Sequence, residues 1–334
     1  MGSSPFQHRV PLHPPNPRGL INAIVYRDFG STDCLSLEEI EKPVPGDDEV
    51  LVAVHAAAVN VLDWYFLRFR FAGLFLGFRK QKRIGRDIAG VVDAVGKSIT
   101  RFKAGDEVFG VARGAFAEYV CTPERALAIK PTNVTFEQAA GVGVAGMTAL
   151  QGLLSAGRLE RGGKVLINGA SGGIGTFAVQ IAKAFGADVT GVCSTRNVAL
   201  VRSIGADHVI DYEREDFTRG AARYDVILDI VATHSLRARS GMLTPTGRYV
   251  LAGGPPSRGL PLWILSRFTG RRLITYVTKS NADDLNVLRK LIESGKVSPV
   301  IDRTYRLDET AQAVTYVAAG HTRGKVVIVV RPVA

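Results

Sequence analysis

Cysteine is scarce in this chain of 334 residues: there are three, Cys34, Cys121 and Cys193, far apart and odd in number. None forms a C-x-x-C pair, so neither a disulfide framework nor a cysteine zinc cluster is supported, and a reducing, cytoplasmic setting is expected. Long apolar runs are missing too, and nothing approaches the ~18 residues that cross a bilayer. Residues 1–19 carry Pro5, Pro11, Pro14, Pro15 and Pro17 but no apolar stretch of signal-peptide length, and are expected to be a disordered lead. The histidines (His8, His13, His55, His208, His234 and His321) are scattered. None pairs with a Cys or Ser in a catalytic spacing, so a hydrolase is not supported. Acidic residues are outnumbered, 31 against 42 basic, for a net charge of +11. That excess suits an anionic cofactor or an anionic membrane surface. The basic residues form no single tract, so no nucleic-acid partner is expected. Internal repeats are absent.

What is present is an ordinary enzyme composition, 46% hydrophobic and 22% charged, in a length that suggests about two domains. The most informative stretch is Val165–Lys183. Val165-Leu166-Ile167 is a short apolar run suited to a strand buried on both faces. Ile174, Phe177, Ala178, Ile181, Ala182 and Phe185 share one helical stripe. Between them lies Gly169-Ala170-Ser171-Gly172-Gly173-Ile174-Gly175. A strand that turns through glycines into a helix N-terminus offers free N–H groups and a helix dipole to a pyrophosphate. The strict Gly-x-Gly-x-x-Gly spacing is not met, since Ala170 stands at the first place. The strand before and the helix after supply the required context, and a dinucleotide site is expected.

Upstream, Ile21–Tyr26, Leu35–Glu41 and Glu49–Val59 read as strands, with turn chemistry over Pro43–Asp48. Asn60 opens a short helical stretch. Thr135-Phe136-Glu137-Gln138 matches a capping box and predicts a helix to about Val144, followed by another over Met147–Ala156. From Gly162 onward strand and helix alternate: Lys164–Asn168, Asp188–Cys193, His208–Asp211, Tyr224–Ile230 and Arg248–Ala252, with a helix expected near Ser235–Leu243 and a sixth strand over Leu273–Thr278. Such alternation predicts a doubly wound parallel sheet with helices on both faces. Asp283–Ser294 reads as a helix, and Val300–Val330 returns to strand, helix and strand.

The order of motifs resembles the medium-chain dehydrogenase/reductase superfamily, and within it the zinc-independent quinone oxidoreductase branch. The resemblance runs from Ile21 to Val330. It rests on Ala58-Val59-Asn60-Val61-Leu62-Asp63, Gly85-Arg86-Asp87-Ile88-Ala89-Gly90, Gly105-Asp106-Glu107-Val108-Phe109-Gly110, Ala145-Gly146-Met147-Thr148-Ala149, the Gly169–Gly175 loop and Gly205-Ala206-Asp207-His208-Val209-Ile210-Asp211-Tyr212. It implies an α/β fold in which a Rossmann domain (146–289) is inserted in a β-rich GroES-like catalytic domain (20–145 plus 290–334). It also implies a homodimer. Zinc members of the superfamily carry a Cys after the strand that ends here at Asn60, Gly-His-Glu where this chain has Gly85-Arg86-Asp87, and a third ligand near Gly143–Ala145. No Cys or His stands at these places, and the four-cysteine lobe is missing, so no metal is expected.

Without a Lewis acid, alcohol oxidation becomes difficult, whereas hydride delivery to an electron-poor acceptor needs no such help. The expected reaction is reduction of a quinone or an α,β-unsaturated carbonyl, a small-molecule substrate. A metal-free aldehyde or ketone reductase, and a non-catalytic NADPH-binding protein, are the alternatives. The cofactor expectation is NADPH. No carboxylate ends the second strand, which reads Gly191-Val192-Cys193-Ser194-Thr195-Arg196, and Ser194 and Arg196 suit a 2′-phosphate. The resemblance adds Tyr212 there, and Asn60, Thr148 and the backbone of Ala252-Gly253-Gly254 around the nicotinamide. The expected cofactor set is Thr148, Ala170, Ser171, Gly172, Gly173, Ile174, Ser194, Arg196, Tyr212, Gly253 and Gly254; the expected catalytic set is Asn60, Asp63 and Tyr65.

Plainer readings stand beside these. Asn60 also suits a helix cap, Thr148 a first-turn hydroxyl, Tyr65 a packed core ring, Asp63 a helix-face charge, Arg196 a solvated residue and Lys325 a strand edge. Phe66–Arg83 and Leu260–Arg272 mix bulky apolar and basic residues. They read as a pocket lid or subunit contact, with weak peripheral membrane contact the other reading.

Overall fold

The computed structural model describes residues 19–68, 83–232, 241–253 and 272–331. The prolyl lead, most of Phe66–Arg83, most of Leu260–Arg272, residues 235–240 of the expected helix and Gly254 lie outside the described residues.

Two sheets organise the chain. The first is built from β3 (Glu49–Val59), β4 (Asp87–Val95), β5 (Glu107–Val111), β6 (Tyr119–Pro123) and β7 (Leu127–Ile129), with β14 (Ile301–Arg306) and β15 (Lys325–Val329) from the far end of the chain. Its order is β14-β15-β3-β4-β5-β7, with β6 also on β3. β15 pairs antiparallel with β3, Val326 opposite Val59. A hairpin of β1 (Leu20–Tyr26) and β2 (Leu35–Glu41) lies beside it. Along β3, Val50, Val52, Val54 and Ala56 are fully buried, as period-2 alternation against a core requires.

The second sheet is parallel and is built from β8 (Lys164–Asn168), β9 (Asp188–Cys193), β10 (His208–Asp211), β11 (Tyr224–Asp229), β12 (Leu243–Leu251) and β13 (Arg272–Thr275). Its order is β10-β9-β8-β11-β12-β13. Numbered within the sheet this is 3-2-1-4-5-6, the doubly wound order, with its switch point between β8 and β11. Val165, Leu166 and Ile167 are wholly buried, as a central strand covered on both faces must be. Leu243 opens β12 rather than closing a helix, which corrects that end of the expected helix.

The α-helices of the described residues are α1 (Val61–Arg68), α2 (Phe136–Ala140), α3 (Gly143–Leu150), α4 (Gly173–Ala184), α5 (Val198–Ser203), α6 (Ala282–Glu293) and α7 (Thr310–Ala318). The capping box is present: Thr135 Oγ1 accepts from Gln138 N, and Gln138 Oε1 from Thr135 N. The helix it starts nevertheless stops at Ala140, short of Val144. A new helix begins at Gly143, because the Asp87 carboxylate takes the Val144 N–H at 2.7 Å. A Cβ on Gly143 would lie 2.6 Å from that carboxylate. The expected Met147–Ala156 helix is likewise two pieces, α3 and a π-helical turn over Gln151–Ala156. The boundaries expected at 145/146 and 289/290 both cut helices, α3 and α6. One continuous core explains why no sharper line exists: Phe109 of the first sheet, Met147 of α3 and Ile167 of the second belong to the same buried cluster.

Candidate active site

The cradle at the end of β8 is shaped by backbone contact. Gly169 takes φ +91°, a value that favours glycine. A Cβ on Gly175 would stand 2.0 Å from the Gly169 carbonyl oxygen, so glycine alone lets α4 start this close to the strand. Gly172 is the N-cap and offers no side-chain oxygen. The first-turn N–H groups of α4 are therefore left without a capping side chain, as an anion site needs. Ala170 is buried, and its N–H donates to Val192 O at 3.0 Å. Gly172, Gly173 and Ile174 are half-buried. The loop is tied to the first sheet: Gly324 N donates to Ser171 O at 2.9 Å, and Gly172 bridges Gly324. These residues fit a dinucleotide pyrophosphate.

At the end of β9, Ser194 is buried, while Arg196 and Tyr212 are exposed. One Arg196 guanidinium nitrogen donates to His321 O at 3.1 Å. The carboxyl end of β9 carries no carboxylate of its own, but a neighbouring strand supplies one. β10 pairs with β9 and brings Asp211 alongside, where it accepts from Thr195 Oγ1 at 2.5 Å and faces Arg214 at 3.4 Å. Gly253 sits where a Cβ would meet Ile230 O at 2.4 Å.

Thr148 lies within α3, not in its first turn. Its hydroxyl donates to Val144 O at 2.7 Å and meets Thr278 Oγ1 at 2.8 Å. Its one proton is thus spent within the fold.

Between cradle and first sheet lies a buried polar cluster. Lys325 Nζ donates to Asn60 Oδ1 at 2.8 Å and to Asp87 Oδ2 at 3.1 Å. Asn60 Nδ2 donates to the same Asp87 oxygen at 3.0 Å. The Asn60 N–H donates to Asp63 Oδ2 at 2.8 Å. Asp63 and Asp87 are wholly enclosed, and Lys325 is 3% exposed. Lys325 is therefore no strand-edge lysine. Its stem runs beside the cradle, with Cδ 3.1 Å from where a Gly173 Cβ would be. Burial drives the Asp63 carboxyl up to about 7, aided by Asp87, against the Asn60 N–H and the charges of Lys325 and Arg86. Asp63 Oδ1 has no hydrogen-bond partner. Asp63 lines a cavity with Tyr26, Phe29, Phe66, Arg83, Ile84, Gly85 and Arg86. Tyr65 lies half-buried two residues further along α1, its ring 5.2 Å from that of Trp64, and is not among those lining residues.

Sequence reasoning gave Asp87 no role, although a carboxylate opening an apolar strand, Asp87-Ile88-Ala89, was a signal available to it. Where zinc relatives place sulfur and imidazole, this chain presents an amide bonded on both sides and a guanidinium. Among the described residues no group of three His, Cys, Asp or Glu could hold a metal ion. That donor set does not fit zinc.

Residues 46–132 match the family described as Alcohol dehydrogenase GroES-like domain, and residues 204–328 the family described as Zinc-binding dehydrogenase. The chain is 34% identical over 323 residues to an NADPH-dependent alkenal/one oxidoreductase, chloroplastic, of Arabidopsis thaliana, covering 92% of this chain and 79% of that one. It is 30% identical to a chloroplastic quinone-oxidoreductase homolog of Spinacia oleracea, covering 92% and 98%. Among solved structures, a quinone oxidoreductase from Coxiella burnetii superposes with a TM-score of 0.86 at 30% identity, over 93% of this chain and 100% of that one.

Proposed function

Because this chain belongs to the medium-chain dehydrogenase/reductase superfamily, in its quinone-oxidoreductase-like branch, we propose that it is an NADPH-dependent oxidoreductase that reduces a quinone or an α,β-unsaturated carbonyl compound without zinc. The observation that carries the zinc-free part is the Asn60–Lys325–Asp87 cluster. The residue at the first zinc-ligand position is an amide held at 2.8 Å by an ammonium and at 3.0 Å to a carboxylate, which leaves no soft donor for a metal.

Bound NADPH supplies the hydride. The chain's own work is to hold and orient. Gly172, Gly173 and Ile174 present the N–H groups of α4 to the pyrophosphate, with Ala170 and Ser171 shaping the turn. Ser194, Arg196 and Tyr212 take the 2′-phosphate. Thr148 and Gly253 border the nicotinamide, Thr148 through shape rather than through a free hydroxyl. Asn60 fixes the floor. Asp63 keeps a proton below about pH 7 and lines the cavity, and with Tyr65 it is the proposed source of the proton the reduced acceptor takes up. Quinones and enones are electron-poor, so position and a few hydrogen bonds suffice. The reading extends to a homodimer in the cytoplasm, and the free thiols of Cys34, Cys121 and Cys193 suit a reducing compartment.

The test is NADPH oxidation with a naphthoquinone, an enone and a plain aldehyde. Turnover with the first two is expected. Turnover with the aldehyde alone would favour the carbonyl-reductase alternative, and none with any acceptor would refute an enzymatic role. Elemental analysis of the active protein should find no stoichiometric zinc, and sedimentation should give twice the chain mass.

A further inference from the structure

Asn197 joins the two hydroxyls that border the cofactor cradle. Its Nδ2 donates to Ser171 Oγ at 3.1 Å and to Ser194 Oγ at 3.0 Å. Ser171 belongs to the turn after β8 and Ser194 to the end of β9, so the amide clamps the carboxyl ends of adjacent strands, where open α/β sheets bind ligands. All three side chains are withdrawn from solvent, Asn197 at 4% exposure. The amide does not serve as a cap: Asn197 precedes α5 but makes no side-chain capping bond to it.

From this we infer that Asn197 is a specificity-determining residue that sets Ser171 and Ser194 as hydrogen-bond donors to the 2′-phosphate of NADPH. The inference rests on the NADPH reading above. A serine oxygen that accepts from an amide still has its own O–H to give. Spending both Nδ2 protons inward thus turns two O–H groups toward the ligand. Two such donors beside the Arg196 guanidinium match phosphate oxygens, which only accept. A ribose diol would instead want a carboxylate acceptor. The two nearby carboxylates are already engaged: Asp211 accepts from Thr195 Oγ1 at 2.5 Å and faces Arg214 at 3.4 Å, and Glu213 accepts from the Thr195 N–H at 3.2 Å. One atom of the clamp is unfinished: Asn197 Oδ1 is buried with no partner. Buried acceptors are nearly always satisfied, and a ribose hydroxyl is the donor a dinucleotide brings.

The experiment is a titration of NADPH, NADH and adenosine 2′-monophosphate by fluorescence or calorimetry, with native protein, Asn197→Asp, and a Ser171→Ala/Ser194→Ala double variant. Asn197→Asp keeps the shape but accepts from both hydroxyls and adds a negative charge. It should weaken NADPH and adenosine 2′-monophosphate by about 100-fold, roughly tenfold per lost charge-assisted bond. NADH affinity should change less than about threefold, and its retention also reports a folded site. The serine double variant should show the same selective loss, and it decides the matter if Asn197→Asp does not fold. An NADPH preference that survives both substitutions would overturn this inference and leave the cofactor reading standing. Equal native affinities for NADPH and NADH would overturn the cofactor reading and this inference with it.

Discussion

Lys325 Nζ stands 3.1 Å from Asp87 Oδ2, with Lys325 3% exposed and Asp87 wholly enclosed, although 238 residues separate them. Removing one partner leaves a buried charge without compensation, which typically costs about 3–5 kcal/mol. Lys325→Met should therefore lower the unfolding free energy by about that much in urea titration. A Lys325→Met/Asp87→Asn double variant should be less destabilised than the lysine variant alone, because no charge is stranded. With Asp87→Asn as the other single variant, a double-variant loss equal to the sum of the two single losses would show that the pair is not coupled.

Asp63 makes stability depend on pH in an unusual direction for a carboxylate. Its folded-state value, about 7, lies above the ordinary value of 3.8, with burial the main cause. The folded state therefore holds the proton more tightly than the unfolded chain does. Its contribution is fully present below about pH 4 and is lost as pH rises through about 7. Asp63→Asn keeps an oxygen to accept from the Asn60 N–H but cannot ionise. Its stability relative to the native protein should improve by up to a few kcal/mol between pH 5 and pH 8. A constant difference across that range would place the titration elsewhere.

The same group should mark the rate. If Asp63 supplies the proton, kcat for an enone should fall as pH rises through about 7, and Asp63→Asn should flatten that limb while leaving NADPH affinity unchanged. An unchanged profile would pass the role to Tyr65 or to water.

What was legible in the sequence is what local chemistry decides. Thr135 and Gln138 announce a capping box because both partners lie within one turn, and Val165–Ile167 announces a central strand because both faces are apolar. The end of that capped helix was not legible: it depends on Asp87, brought from β4 to the Val144 N–H. Lys325 read as a strand edge for a similar reason. Only the pairing of β15 with β3 places it over Asn60. The two partners of Asn197, Ser171 and Ser194, come from the ends of different strands. The polar cluster and the serine clamp are products of topology, and no window of neighbouring residues contains them.

The cradle glycines offer a test that separates fold from ligand. Gly175 has no room: an added Cβ would lie 2.0 Å from Gly169 O and 2.7 Å from Ala170 backbone atoms. Gly175→Ala must push α4 away from β8, and it should lose stability and cofactor binding together. Gly172 differs, since its backbone is extended (φ −82°) and a Cβ would meet only Gly169 O at 3.6 Å. The fold can accept that methyl, but it stands at the N-cap, where the pyrophosphate must approach the N–H groups. Gly172→Ala should keep its melting temperature within about 2 °C, a change of under ~1.5 kcal/mol for a chain this size, yet weaken NADPH about tenfold or more in a fluorescence titration. Unchanged NADPH affinity in Gly172→Ala would mean that the anion does not sit at this helix end.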